Sequence, residues 1–381
     1  MSLKEAEKIE VLSVLSIIFH KRPDFYDHWE AESRNGRYNL LIESFEEAIS
    51  LFTSESTKKG LNDLKKVLFE VSDLFNMETA RFNIDILVEA YWEIFNSDEF
   101  DIDDLYDELS RKSKANNEVE LTPNHVVDLM VDLADIQDDD VVMDYCLGTA
   151  RFLTNVHHKN PSAKLVGVEV KRDLFLLSCG VMYCNDRPDA IIIHGNLMND
   201  KQLQSKLKNL VTKCILNPPY NASEWSPKQF FFKGMDLMAE GGRFVFIGPV
   251  SVFKTVGDIT NFEINADERG SYDLKSLALM NSDLFKAGTK SAAGTLVNIT
   301  VVDKQEYQND TKVLDWQDDG FEVVLKKGRL ETGDWGERKN CFLQDFNDST
   351  GLNLQDTDEC VYQAHMQVNY DLVEFNFMNY E

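Results

Sequence analysis

The run Val141-Val142-Met143-Asp144-Tyr145-Cys146-Leu147-Gly148-Thr149-Ala150-Arg151-Phe152-Leu153 decides how the chain is built. A short β-branched stretch leads into a carboxylate and then into a small residue. A small residue after a strand allows a tight turn and lets backbone amides approach a ligand. Taken alone, this segment could equally be an ordinary strand-to-helix turn. Its surroundings give it meaning. Downstream, β-rich runs recur at Leu165–Val170, Ala190–His194, Lys213–Leu216, Arg243–Ile247, Ser276–Leu279 and Thr295–Val302, after a first at Val141–Tyr145. Helical stretches lie between most of them, among them Asn124–Leu133, Lys171–Cys184 and Gln229–Met238. Strands alternating with helices predict an α/β fold around a mostly parallel sheet covered on both faces. The last two runs, joined by the small-residue segment Ala287–Gly294, are expected as an antiparallel pair at one edge.

Upstream, residues 1–115 read as a helical domain. Apolar residues recur at helical spacing: Ile9, Leu12, Leu15, Ile18 and Phe19, then Leu41, Phe45, Ala48 and Phe52, then Leu64, Leu68, Val71 and Leu74, and on through Asp85–Ile94. Pro23 falls in a gap between helices. The polar stretch Arg111–Glu120 reads as a linker into a second domain at 116–304. Residues 305–381 read as an acidic extension with a turn at Asp318-Asp319-Gly320.

In open α/β sheets, ligands sit beyond the carboxyl ends of the strands. The residues following each strand are therefore the candidates. The first strand delivers Asp144 and the Gly148 loop. The second delivers Glu169, 25 residues after Asp144, placed to hydrogen-bond the hydroxyls of a ribose. The third delivers Asn196, able to bond an adenine amino group, and Leu197, able to pack on the ring; His194 reads as structural. The fourth delivers Asn217-Pro218-Pro219-Tyr220. Two prolines at a strand end fix φ twice and remove two amide donors. The Asn217 side-chain carbonyl joins backbone carbonyls that have no local donor, and such a site suits an NH2 group. Tyr220 adds an aromatic face for stacking.

These motifs resemble those of the DNA methyltransferases that act on N6 of adenine, particularly the modification subunits of type I restriction–modification systems. Asn217–Tyr220 matches their catalytic loop. Asp144-x-Cys146-x-Gly148-Thr149-x-x-Phe152-Leu153 matches their cofactor loop, D-P-A-C-G-T-G-G-F-L; Ala150 and Arg151 stand in place of two glycines, Tyr145 and Leu147 in place of Pro and Ala. Leu121-Thr122-Pro123 before a helix matches the motif that precedes the cofactor loop, and the motif order is the one called gamma. Trp225, Phe230 and Gly241-Gly242-Arg243 resemble the stretch after the catalytic loop. Phe285 with Thr295–Lys304 resembles the final strand pair.

The resemblance implies a Rossmann-like methyltransferase fold, a seven-stranded mostly parallel sheet with an antiparallel edge strand. It implies S-adenosyl-L-methionine as methyl donor, held by Thr122, Pro123, Asp144, Cys146, Leu147, Gly148, Thr149, Phe152, Glu169, Asn196 and Leu197. The catalytic residues would be Asn217, Pro218, Pro219 and Tyr220, acting on a flipped-out adenine. DNA is the implied partner, with a separate specificity subunit or other protein to choose the site, since no segment resembles a target recognition domain. A stand-alone or phage-borne enzyme fits the same motifs.

Composition narrows the classes. No run approaches 18 apolar residues, and Glu5, Glu7 and Glu10 interrupt the N-terminal stretch. A cytoplasmic protein without membrane span or secretory leader is expected. Six cysteines form no CxxC pair and no zinc-ligand spacing with histidine, so reduced thiols and no metal are expected. The net charge of −27 is unusual beside DNA, because phosphate binding calls for basic surfaces. Seven acidic residues at 97–108 and eight at 341–381, with no Lys or Arg in either run, are either solvated faces or surfaces for a basic partner. Two other readings share the motifs. One is methylation of a protein glutamine amide, or of RNA, on the same fold. The other is a methyltransferase-like interaction module without catalysis, which Ala150, Arg151 and the acidic balance would suit.

Overall fold

A computed structural model describes residues 5–66, 68, 78–96, 122–253, 272–285, 296–305, 311–324 and 328–348. The linker at 111–120, the acidic run at 97–108, residues 349–381 of the second acidic run, Leu121, Val71, Leu74 and the 287–294 segment lie outside the described residues.

The chain divides into two compact units. One comprises Met1–Val119, Asp144–His158 and Lys164–Asp200. Its helices are α1 (Glu5–Lys21), α2 (Phe25–Ala31), α3 (Arg34–Leu51), α4 (Glu55–Lys65) and α5 (Glu78–Phe95), in the region where apolar periodicity predicts helices. Ser33 and Ser54 accept amide hydrogens at the starts of α3 and α4, which supplies partners for donors that a helix leaves open. Ile9, Leu15, Ile18 and Phe19 of α1 are all buried. Later in the chain come α7 (Arg151–Lys159) and α8 (Arg172–Cys184). A bidentate ion pair ties α8 to α1: Arg172 donates to both carboxylate oxygens of Glu10, at 2.6 and 2.9 Å. Burial pushes the Glu10 carboxyl up, while Arg172 favours its charged form.

The other unit comprises Glu120–Met143, Lys159–Ala163 and Lys201–Glu381. It holds α6 (Asn124–Leu133), α9 (Lys201–Leu207), α10 (Pro227–Leu237) and α11 (Trp335–Asp348). Helix α10 starts on a capping box between Ser226 and Gln229, with proline at its first turn. Its Phe231 meets Phe244, Phe246 and Phe253 at ring separations of 5.1–5.3 Å. Arg243 forks onto Asp303 at 2.7 and 3.0 Å.

The sheet has eight strands, in the order β3 (Ile191–His194), β2 (Lys164–Glu169), β1 (Val141–Asp144), β4 (Val211–Leu216), β5 (Met238–Pro249), β7 (Val297–Asp303), β6 (Asp273–Met280), β8 (Lys312–Trp316). β2 pairs with β3, β1 with β4, β4 with β5, and β6 with β8, all parallel. β7 runs antiparallel to both β5 and β6. The α/β fold and its mostly parallel sheet are as predicted. The count and the edge are not: among the described residues the sheet has eight strands rather than seven, and the antiparallel strand is interior. Every residue of β7 is buried, as expected for a strand with a neighbour on each side and both faces covered. β8 supplies the extra strand beyond β6. At the opposite edge, the Ile192 amide donates to Thr57 Oγ1 of α4 at 2.9 Å, so a side chain satisfies a donor that the edge strand leaves open. A two-stranded antiparallel hairpin, β9 (Phe321–Val324) and β10 (Gly328–Glu331), stands apart from the sheet.

Candidate active site

The first group of candidate residues gathers around the loop after β1. Asp144 is almost fully buried, and its Oδ1 accepts the Cys146 amide at 3.0 Å. Burial pushes its carboxyl up to about 7, opposed by the Cys146 amide and reinforced by the Glu169 charge. Glu169 Oε2 accepts the Gly148 amide and Oε1 accepts the Lys171 amide, each at 2.8 Å. Burial pushes Glu169 up to about 6, while the Lys171 and Gly148 amides favour its charged form. Glu169 therefore ties the glycine loop to the end of β2. With the Lys171, Gly148 and Val170 amides engaged, a carboxylate's four acceptor sites leave one for a further donor such as a ribose hydroxyl.

Gly148 has φ +56 and Ala150 has φ 62. Both lie in the left-handed region that glycine tolerates and alanine resists. The Ala150 amide bonds to Leu147 O, and Ala150 O accepts the Thr154 amide at 2.9 Å, which starts α7. The turn is thus held from both sides with a methyl group in place. Leu147 faces inward: a Cβ on Gly167 would lie 2.6 Å from Leu147 Cδ2. Its amide is already donated to Val168 O. Thr149 and Phe152 are buried as well. After β3, Asn196 Oδ1 accepts the Met198 amide at 3.0 Å, and Leu197 is buried.

The second group lies in the other unit. β1 and β4 are registered with Met143 opposite Cys214, and Asn217 follows β4 directly. Asn217 Nδ2 donates to Thr122 Oγ1 at 2.8 Å. This bond fixes which way the amide faces. Asn217 Oδ1 is buried and has no hydrogen-bond partner among the described residues. Buried acceptors are normally satisfied, so an orphan beside two prolines marks a place for an external donor. Pro218 is buried and Pro219 exposed. Tyr220 meets the edge of Phe285 at 5.9 Å and 83°. Thr122 and Pro123 lead into α6, where the Val126 and Val127 amides donate to Pro123 O.

Three features escape the sequence reading. Val170, next to Glu169, leaves 58% of its surface exposed, an apolar face beside the proposed ribose carboxylate. An apolar residue directly after a strand-end carboxylate was the available signal. Phe285 shares the Tyr220 aromatic site. His125 is buried in the first turn of α6. Among the described residues no cluster of His, Cys, Asp or Glu could hold a metal ion.

Residues 101–244 match the N-6 DNA Methylase family. That segment contains both groups of candidate residues and bears out the resemblance read from the motifs. Over 274 residues the chain is 22% identical to the type II restriction enzyme and methyltransferase RM.BcgI of Heyndrickxia coagulans, covering 64% of this chain and 42% of that protein. The chain thus spans less than half the length of this curated relative. Among solved structures, it is similar to a modification subunit of a type I restriction enzyme from Vibrio vulnificus (TM-score 0.57, 14% identity, 77% of this chain and 66% of that one). It is similar also to a chain from a type I restriction–modification assembly (TM-score 0.58, 14% identity, 91% and 80%). A class I S-adenosylmethionine-dependent methyltransferase of Listeria monocytogenes aligns too (TM-score 0.51, 15% identity, 90% and 98%). At these identities the structures speak for the fold, a methyltransferase α/β sheet.

Proposed function

We propose that the chain transfers a methyl group from S-adenosyl-L-methionine to N6 of an adenine flipped out of DNA, as the modification component of a restriction–modification system. The orphan Asn217 Oδ1 carries this reading. An adenine amine has two hydrogens to give; Asn217 Oδ1 is one acceptor, without a partner among the described residues, and the Pro218 carbonyl is the proposed second. Bonded to both, the amine loses conjugation with the ring and its lone pair turns outward. Thr122 keeps Oδ1, rather than Nδ2, facing the amine. Tyr220 and Phe285 supply aromatic surface against an unstacked base. The acceleration comes from alignment and pre-set dipoles, with no strong base required: as the N–C bond forms the methyl–sulfur bond would break to leave a neutral thioether, and the acidified amine would then lose one proton to water.

The Asp144–Glu169 group fits the methyl donor. A deeply buried carboxyl raised to about 7 by burial suits a ligand bearing positive charge. Glu169 suits ribose hydroxyls, and Val170 an adenine face. When bound, the donor supplies an electrophilic methyl group on a sulfonium. Asp144, Cys146, Gly148, Thr149, Glu169, Asn196 and Leu197 would hold and orient it, with Leu147 and Phe152 packing the loop from beneath and Thr122 and Pro123 enclosing it. DNA is the proposed substrate, a specificity subunit the proposed partner, and the cytoplasm the proposed location; no described helix is long and apolar enough to cross a membrane.

The test uses tritiated S-adenosyl-L-methionine with adenine-containing duplex DNA, followed by nucleoside analysis. Label should appear as N6-methyladenine and should vanish in Asn217→Ala, with cofactor binding retained. Label found only in protein or RNA, or full turnover by the variant, would overturn the assignment.

A further inference from the structure

The Asn217 amide is oriented by Thr122, and Thr122 stands two residues ahead of α6. What holds the start of α6 is a cluster from the far end of the chain. His125 Nε2 meets Asp319 Oδ2 at 3.2 Å. Asp319 is fully buried and is forked by Arg329 at 2.7 Å on each oxygen. Burial pushes the Asp319 carboxyl up, but His125 and Arg329 outweigh it and hold it below the usual carboxylate range. The Phe321 ring stacks on the His125 ring at 3.9 Å and 13°, and Trp335 meets its edge at 5.1 Å. One turn further on, Asp128 is gripped by Lys339 of α11. All of these residues lie in the same compact unit.

We infer that the segment Asp319–Lys339, which the catalytic reading leaves without a role, sets the position of Thr122 through His125 and thereby the orientation of Asn217. His125, Asp319 and Arg329 are positioning residues. The inference rests on the proposed role of Asn217. The tolerance is small: the Thr122–Asn217 bond is 2.8 Å, and a contact of about 3.6 Å no longer counts as a hydrogen bond. A shift of about 0.8 Å at the head of α6 is therefore enough to release the amide. A ring clamped on its face, its edge and one nitrogen resists such a shift; a ring held only by a surface contact would not. The charged partners also explain why a buried aspartate is tolerated here, since each of its oxygens receives an ionic hydrogen bond.

The test compares His125→Ala, Thr122→Val and the double variant in the full chain, with any specificity subunit its activity needs. Three quantities are read: kcat, the dissociation constant for S-adenosyl-L-methionine, and the side-chain amide resonance of Asn217 after selective ¹⁵N-asparagine labelling. His125→Ala and Thr122→Val should each lower kcat about tenfold, the loss of one oriented hydrogen bond. The double variant should be no slower than Thr122→Val alone, cofactor affinity should hold in His125→Ala, and the Asn217 resonance should move alike in all three. Multiplying effects, or an unmoved resonance in His125→Ala, would overturn the inference while leaving the catalytic reading intact. Loss of activity only in step with loss of folded protein would overturn it as well. Trp335→Ala, which leaves the His125 ring and its Asp319 contact in place but removes the edge contact, the indole bond to Asp128 and the ring contacts to Phe321 and Phe342, repeats the test if His125→Ala does not fold. A wild-type chain that methylates no adenine would instead refute the catalytic reading itself, and the resonance would still report on the brace.

Discussion

Asp144 should make the ligand-free protein less stable as pH rises, and Asp144→Asn should remove that dependence. The ordinary aspartate value is 3.8, and burial carries this carboxyl to about 7. Between those values the folded chain binds more protons than the unfolded chain. Stability from this group is therefore fully present below about pH 4, falls as pH rises, and is lost above about pH 7. At about 1.4 kcal/mol per pH unit, the whole effect is roughly 4 kcal/mol, of which roughly 3 kcal/mol falls between pH 5 and 8. Glu169, raised to about 6, acts in the same direction, but it is present in both proteins and drops out of their difference. Asparagine keeps the acceptor for the Cys146 amide. Urea unfolding of both proteins at pH 5, 6, 7 and 8, followed by tryptophan fluorescence, gives the comparison. The variant should gain on the wild type with each step up to pH 7 and then hold its lead. Titration calorimetry should show the opposite for the ligand: the wild type binds S-adenosyl-L-methionine more tightly as Asp144 ionises, and the variant binds weakly at every pH. Parallel stability profiles for the two proteins would refute the claim that burial raises the Asp144 carboxyl in the folded chain.

The loop below it and the strand beside it make three further predictions. Gly167→Ala sets a methyl 2.6 Å from Leu147 Cδ2; overpacking of this kind costs roughly 1–3 kcal/mol, visible as a lower melting temperature and weaker cofactor binding together. Ala150→Gly should change stability by less than about 1 kcal/mol, since relief of roughly 1–2 kcal/mol of left-handed strain is offset by a lost buried methyl and a more flexible unfolded chain. Ala150→Val should destabilise by roughly 1–3 kcal/mol, and a melting temperature equal to wild type would show that the turn had changed its φ.

Elements whose apolar pattern is local were legible in the sequence. Val141–Asp144, Lys164–Glu169 and Asn124–Leu133 appear within a residue of where their periodicity puts them. β8 was not legible. Lys312-Val-Leu-Asp-Trp is five residues long with only Leu314 and Trp316 buried, and its strand character comes from β6 beside it. The placement of β7 inside the sheet was hidden for the same reason. A strand buried on both faces reads as a plain apolar run, and such a run does not say which neighbours it has.

At the site, residue types were legible and partnerships were not. The proline pair announces acceptors without donors, because the chemistry is contained in four consecutive residues. The bond that gives Asn217 its direction joins residues 95 positions apart, and no periodicity encodes it. Glu169 shows how a reading can be right in place and incomplete in role. Its position at the end of β2 suggested ribose, yet its oxygens first receive the Gly148 and Lys171 amides, so the residue builds the loop before it can bind anything. Ala150 shows the reverse. Read against a glycine pattern it looks like a defect, but its amide and carbonyl are both engaged. The strain at φ 62 is held by hydrogen bonds on either side. The variant that separates these views is Ala150→Gly: if the methyl were a defect, removing it would raise cofactor affinity, whereas a turn already fixed by its bonds should bind the same ligand equally well.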